Sequence, residues 1–161
     1  MAKRYPRSVY QRNTPDYFIQ GLATGGVANL PPMLQYYQAS LFNSATDGSY
    51  LFVYGMNLDF NGGNLATVTM VQGAHGTLAM QGQSVQSDLG AQPGQIYTDQ
   101  GGAPLTPTGL TMGHIIGSVF ATPLLSAFPL WIVPPSWSLF FTADTTVNGV
   151  VANFWWVALR A

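Results

Sequence analysis

The chain has 161 residues, no cysteine and a formal net charge of −1, a length that builds one domain with a core of its own and excludes disulfide staples, thiol redox chemistry and thiolate metal sites. Only 7% of the residues are Asp, Glu, Lys or Arg while 47% are hydrophobic, against roughly 25% charged in an ordinary soluble domain. Such a chain covers much of its outside with neighbours, which points to an obligate oligomer; the competing reading is a monomer kept soluble by Asn, Gln, Ser and Thr.

Charge is also unevenly placed. Lys3, Arg4, Arg7 and Arg12 stand against Asp16 in the first sixteen residues, whereas Arg160 alone faces Asp47, Asp59, Asp88, Asp99 and Asp144 in the rest. A basic arm therefore precedes a mildly acidic body. The arm is polar throughout and lacks the unbroken apolar stretch of a secretory signal. Lys3, Arg4, Tyr5, Arg7, Tyr10 and Arg12 are the candidate partner contacts, for a protein surface ahead of nucleic acid, because four charges give only weak, salt-sensitive phosphate binding. Residues 1–35 read as this arm followed by a Gly/Pro-punctuated extended lead-in, and residues 36–161 as the folded domain.

Within that domain the pattern is β. Residues 50–58 alternate with period two, placing Tyr50, Phe52, Tyr54, Met56 and Leu58 on one face and smaller residues on the other, up to the turn signal Asn61-Gly62-Gly63-Asn64. Residues 65–71 alternate likewise, and 75–80 continue the meander. Residues 82–110, rich in Gly, Gln, Pro, Ser and Asp, predict long loops with one short strand around Ile96 and Tyr97. Further strands are expected over 114–120, 128–133 and 137–142. Pro123, Pro129 and Pro134-Pro135 cut the uncharged stretch into strand-length pieces and argue against a membrane span.

Asn148-Gly149 then turns into a closing strand over 150–159 that is apolar on both faces. Ala152, Phe154 and Trp156 fall on one, and Val151, Trp155, Val157 and Leu159 on the other, which makes the second set the candidate subunit interface. An overlying loop of the same chain would cover that face equally well. Eight to ten short strands without a long amphipathic helix predict an all-β fold, a single β-sandwich of jelly-roll or Greek-key type with an extended N-terminal arm.

Little in the sequence supports catalysis. His75 and His114 lack the spacing of a metal pair, no GxSxG marks a nucleophile, and the glycine pairs lack the spacing of a phosphate loop. The body aspartates sit beside Gly, Asn or Thr, where aspartate forms turns; a carboxylate pair of glycosidase type is the weaker alternative. The expectation is a non-enzyme with no catalytic residue, no metal and no cofactor.

Ser40-Leu41-Phe42-Asn43-Ser44-Ala45-Thr46-Asp47-Gly48, with the strand that follows, resembles the Asn-x-Ala-x-x-Gly turn and strand of small β-sandwich virion proteins of tailed bacteriophages. The segment Val133-Pro134-Pro135-Ser136-Trp137 and the closing strand with Trp155-Trp156 resemble their proline-led penultimate strand and aromatic last strand. Ser136 stands where a glycine is common in that family. The resemblance implies a structural protein of the virion, assembled in the host cytoplasm. It would decorate or cement the capsid exterior as a homo-oligomer, a trimer, with the arm reaching neighbouring capsid subunits. The alternative is a fibre or tail module of the same fold that presents loops around residues 82–110 to a receptor or carbohydrate.

Overall fold

The structure, a computed structural model, describes residues 22–27, 38–60, 65–84, 91–98, 108–116, 124–126, 128–143 and 150–160. The side chains of Leu22–Val27 and of several strand-end residues lie outside what it describes. Among the described residues there are eleven strands and no helix. They are β1 (Leu22–Val27), β2 (Gln38–Phe42), β3 (Ser49–Phe60), β4 (Leu65–Gln72), β5 (Thr77–Ser84), β6 (Ala91–Thr98), β7 (Leu110–Ile116), β8 (Leu124–Leu125), β9 (Trp131–Val133), β10 (Trp137–Ala143) and β11 (Val150–Arg160).

Every pairing is antiparallel, and the pairings describe a rolled ribbon. β1 pairs with β11, β2 with β10, β3 with both β8 and β9, and β4 with β7. Rolling this ribbon lays β11 against β3 and β10 against β4. The result is two sheets, β1-β11-β3 with β8 and β9 end to end along β3, and β2-β10-β4-β7. That is the jelly-roll connection of an all-β sandwich. The β5–β6 hairpin joins the sheets on one side, because β5 pairs with β1 and β6 with β2. Among the described strands, this continuous hydrogen bonding closes one side of the roll and leaves the opposite side open.

The core lies between the sheets. Leu51, Val53, Met56 and Leu58 of β3 and Ala152, Phe154 and Trp156 of β11 meet Ala39, Leu41, Val68, Leu139 and Phe141 of the other sheet. Phe141 and Phe154 stack across the interior at 5.5 Å between ring centroids, and Trp131 meets Phe141 edge-on at 5.8 Å. Trp156 is fully buried, and its indole N–H donates to the Pro93 carbonyl at 2.9 Å. Its six-membered ring lies so close to Gly82 and Gly94 that a Cβ on either would overlap it. These two strand glycines therefore exist to let backbone approach a large side chain.

Three expectations change. The first is the lead-in: residues 22–27 are not merely draped chain but form β1, hydrogen-bonded between β5 and β11, so the sandwich draws on residues before 36. In the second, the one short strand expected around Ile96 and Tyr97 is present as β6 but runs to eight residues, the segment also holds the end of β5, and Gln side chains bond across the hairpin. Amides satisfied by each other substitute for the β-branched residues that normally mark a strand. The third concerns β3. Its alternation breaks at Tyr54, where the pairing with β11 skips a residue, Trp155 facing Gly55 and Trp156 facing Val53. This β-bulge shifts the phase, so Met56 and Leu58 join Leu51 and Val53 in the core and part company with Tyr50 and Phe52.

Candidate functional site

The two sheets differ in their outer faces. On β2 and β10 the outward positions Ser40 and Phe140 are 0% and 2% exposed, already covered within the chain; His75, from the β4–β5 turn, lies edge-on to Phe140 at 6.1 Å. The rest of that face is polar and uncovered, with Thr67, Thr69 and Thr142 partly exposed and Thr111 and His114 exposed; the outer face of β9-β3-β11 is uncovered and largely apolar. Tyr50, Phe52, Tyr54, Asn57, Asn153, Trp155 and Leu159 are each partly exposed, and Ile132 is 47% exposed.

Register brings these residues together. Tyr50 stands opposite Leu159, and Phe52 lies between Val157 on one side and Ile132 on the other. Trp155 stands opposite Gly55, beside the bulged Tyr54, and Asn153 opposite Asn57. The described side chains of this face carry no formal charge. Three strands at about 4.8 Å and eight residues at about 3.4 Å make a sheet face on the order of 400 Å², about half of the roughly 800 Å² that a stable interface buries on each partner.

Beside this face β8 and β9 are separated by a short excursion that follows the bulge. Ser126 N–H donates to the Tyr54 carbonyl at 2.8 Å and Leu130 N–H to the Val53 carbonyl at 2.7 Å. Phe128 N–H donates to the Ser126 hydroxyl at 3.1 Å, and the Phe128 side chain stands out 77% exposed. A tethered backbone thus displays a bare aromatic ring beside an apolar sheet.

Of the residues the sequence nominates for the interface, Trp155 and Leu159 lie partly exposed on this face. Val157 shares it but is 2% exposed, buried between β1 and β3 within the chain itself. The side chain of Val151 and the arm residues Lys3, Arg4, Tyr5, Arg7, Tyr10 and Arg12 lie outside the described residues. Sequence reasoning missed Phe52, Ile132 and Phe128 as outward partners of Trp155. The one signal for the bulge that groups them is Gly55, the only glycine in β3.

The titratable groups are scattered. His75 Nε2 bonds the Gln72 carbonyl at 2.9 Å and His114 Nδ1 bonds Thr67 Oγ1 at 3.2 Å, on separate elements. Among the described residues no three metal-ligating side chains gather. Asp47 behaves as a turn former: Oδ1 accepts from Ser49 N–H at 3.1 Å, and Oδ2 accepts from Arg160 Nε and Nη2, both at 3.1 Å. Hydrogen bonds from Ser49, and then the Arg160 guanidinium, hold its carboxyl below the usual carboxylate range. The side chain of Asp59, and all of Asp88, Asp99 and Asp144, lie outside the described residues.

The resemblance motif has a structural meaning. Asn43, fully buried at the end of β2, donates through Nδ2 to the carbonyls of Ser49 at 2.8 Å and Val133 at 2.9 Å, while its Oδ1 accepts from Ala45 N–H at 3.0 Å. Its backbone adds bonds to Trp137 and Ser136. One side chain therefore clasps β3, β9 and the turn between β2 and β3, and Gly48 supplies the positive φ (+81°) that closes the turn. Compared with known protein families, curated proteins and solved structures, the chain matches none.

Proposed function

We propose that this protein is a non-enzymatic structural component of a virion that works as a homo-oligomer, a trimer, with the outer face of β9-β3-β11 as its subunit contact. The observation that carries the reading is the contrast between the two sheets. One outer face is covered at Ser40 and Phe140 and carries the polar Thr67, Thr69, Thr111 and His114 beyond them, whereas the other presents Tyr50, Phe52, Trp155, Leu159 and Ile132 without a formal charge among its described side chains. A neighbouring copy is the occupant that fits, since an uncharged face packs on the next subunit around a threefold axis without desolvating a formal charge, and it supplies about half of the area that a stable interface buries on each partner. The sparse charge of the whole chain supports the same conclusion.

The capsid setting rests on the resemblance around Asn43 and the closing strand. In it the trimer decorates or cements the exterior of a tailed-phage head, and Lys3, Arg4, Arg7 and Arg12 of the arm grip neighbouring capsid subunits. Sedimentation of the purified protein is expected to give a trimer, and Ile132→Asp, a change at a 47% exposed position, is expected to shift it toward monomer without loss of the β-sheet circular dichroism signal. Electron micrographs of particles with and without the protein test the setting. A wild-type protein that sediments only as monomer and leaves particles bare would refute the proposal.

A further inference from the structure

The β2–β3 turn and the β5–β6 hairpin border an open cleft of about 330 Å³. Ser44, Ala45, Thr46 and Asp47 form one wall and Gln81, Gln92 and Pro93 the other. The wall amides are held in place. Gln81 Nε2 donates to the Gln92 carbonyl at 2.8 Å, Gln95 Nε2 donates to Gln81 Oε1 at 2.8 Å, and Tyr97 OH donates to Gln95 Oε1 at 3.1 Å. Tyr97 is itself braced edge-on against Phe42 at 5.9 Å. This relay orients Gln81 so that one amide hydrogen and one oxygen lone pair remain for a ligand.

We propose that this cleft binds a neutral, polyhydroxylated ligand, a terminal sugar. Its chemistry selects that class by elimination and by fit. Asp47 is the one charged residue lining it, and the Arg160 guanidinium 3.1 Å away offsets that charge, so neither a cation nor an anion gains from entering. Two hydroxyls, a carboxylate and the Gln81 amide supply both donors and acceptors. Adjacent sugar hydroxyls, each at once donor and acceptor, suit such a mixed wall, and Pro93 offers their C–H face an apolar contact. The volume lies at the small end of the roughly 300–1,000 Å³ of ligand sites, which suits the end of a glycan rather than its length. This site is independent of the subunit face, so either proposal survives the failure of the other.

Saturation-transfer NMR with neutral oligosaccharides ending in a hexose or an N-acetylhexosamine, at millimolar concentration, tests it. Transfer from at least one of them is expected, with the side-chain amide resonances of Gln81 and Gln92 moving on titration. Gln81→Ala is expected to weaken binding about tenfold, the loss of one pair of directional hydrogen bonds. Thr46→Ala, on the exposed turn, is expected to weaken it less, about threefold. Ile132→Asp, on the subunit face, leaves it unchanged. Three results would each overturn the proposal: no transfer from any neutral sugar, transfer confined to charged sugars, or transfer undiminished in both cleft variants.

Discussion

Replacing Asn43 by alanine removes three side-chain hydrogen bonds at a site with no access to water. The Ser49 and Val133 carbonyls and the Ala45 N–H lose a partner that solvent does not replace. At about 1 kcal/mol for each bond the variant loses about 3 kcal/mol, rising to about 5 kcal/mol if two of the groups bear a full desolvation penalty. For a chain of this length each kcal/mol moves the midpoint by about 2–4 °C, so a fall on the order of 10 °C is expected. The assay is thermal and urea unfolding followed by circular dichroism, at one fixed protein concentration because association adds to apparent stability.

Asn43→Asp sharpens the test, since it keeps the shape and the acceptor for Ala45 but turns a carboxylate toward two carbonyl oxygens. Burial and those oxygens raise its folded pKa above the unfolded value. The variant is therefore least stable above that raised value and regains stability as pH falls through it, when the protonated carboxyl again donates. A loss below about 1 kcal/mol for Asn43→Ala, or an Asn43→Asp variant without this pH response, would refute the view of Asn43 as a clasp.

Three further outcomes follow from local observations. Thr98 is 2% exposed and its hydroxyl has no hydrogen-bond partner; Thr98→Val, which keeps the shape and removes the stranded polar atom, is expected to raise stability by about 1 kcal/mol in urea melts. Ser136 holds φ at +64°, a region that glycine enters without strain, so Ser136→Gly is expected to stabilise by about 0.5–1 kcal/mol, read as a higher thermal midpoint. The depressed folded pKa of Asp47 contributes stability fully above the usual carboxylate range and loses it as pH falls through the lowered value. Acid titration of wild type against Asp47→Asn should show the wild type falling more steeply in that window, by a small amount that high salt reduces further.

The β class was legible because its main signals are local. Alternation over residues 65–71 and the apolar pairings of residues 150–159 mark β4 and β11, and Asn43 was visible as part of a turn motif. The failures were non-local. β1, Leu-Ala-Thr-Gly-Gly-Val, carries too few large residues to declare itself, and becomes a strand because β5 and β11 present unpaired edges on either side of it. The phase of β3 is likewise set from outside, by a bulge against Trp155 and Trp156. Strict alternation cannot show a one-residue slip, and that slip decides which aromatic residues face out. Ser136 is the opposite case: the sequence showed a serine in a glycine position, and the positive φ supplies the reason.

The rolled ribbon sets a timetable for the molecule's own synthesis. β1 finds its partners in β5 and β11, and β2 in β6 and β10, so contacts of long sequence separation dominate and folding is expected to be slow for a domain this small. Trp155 and Leu159 reach the outer sheet face with the last of the described strands to leave the ribosome. Until then the outer face of β9 and β3 lacks its third strand. The face therefore takes shape only after β11 has been made, late in the order of the described strands.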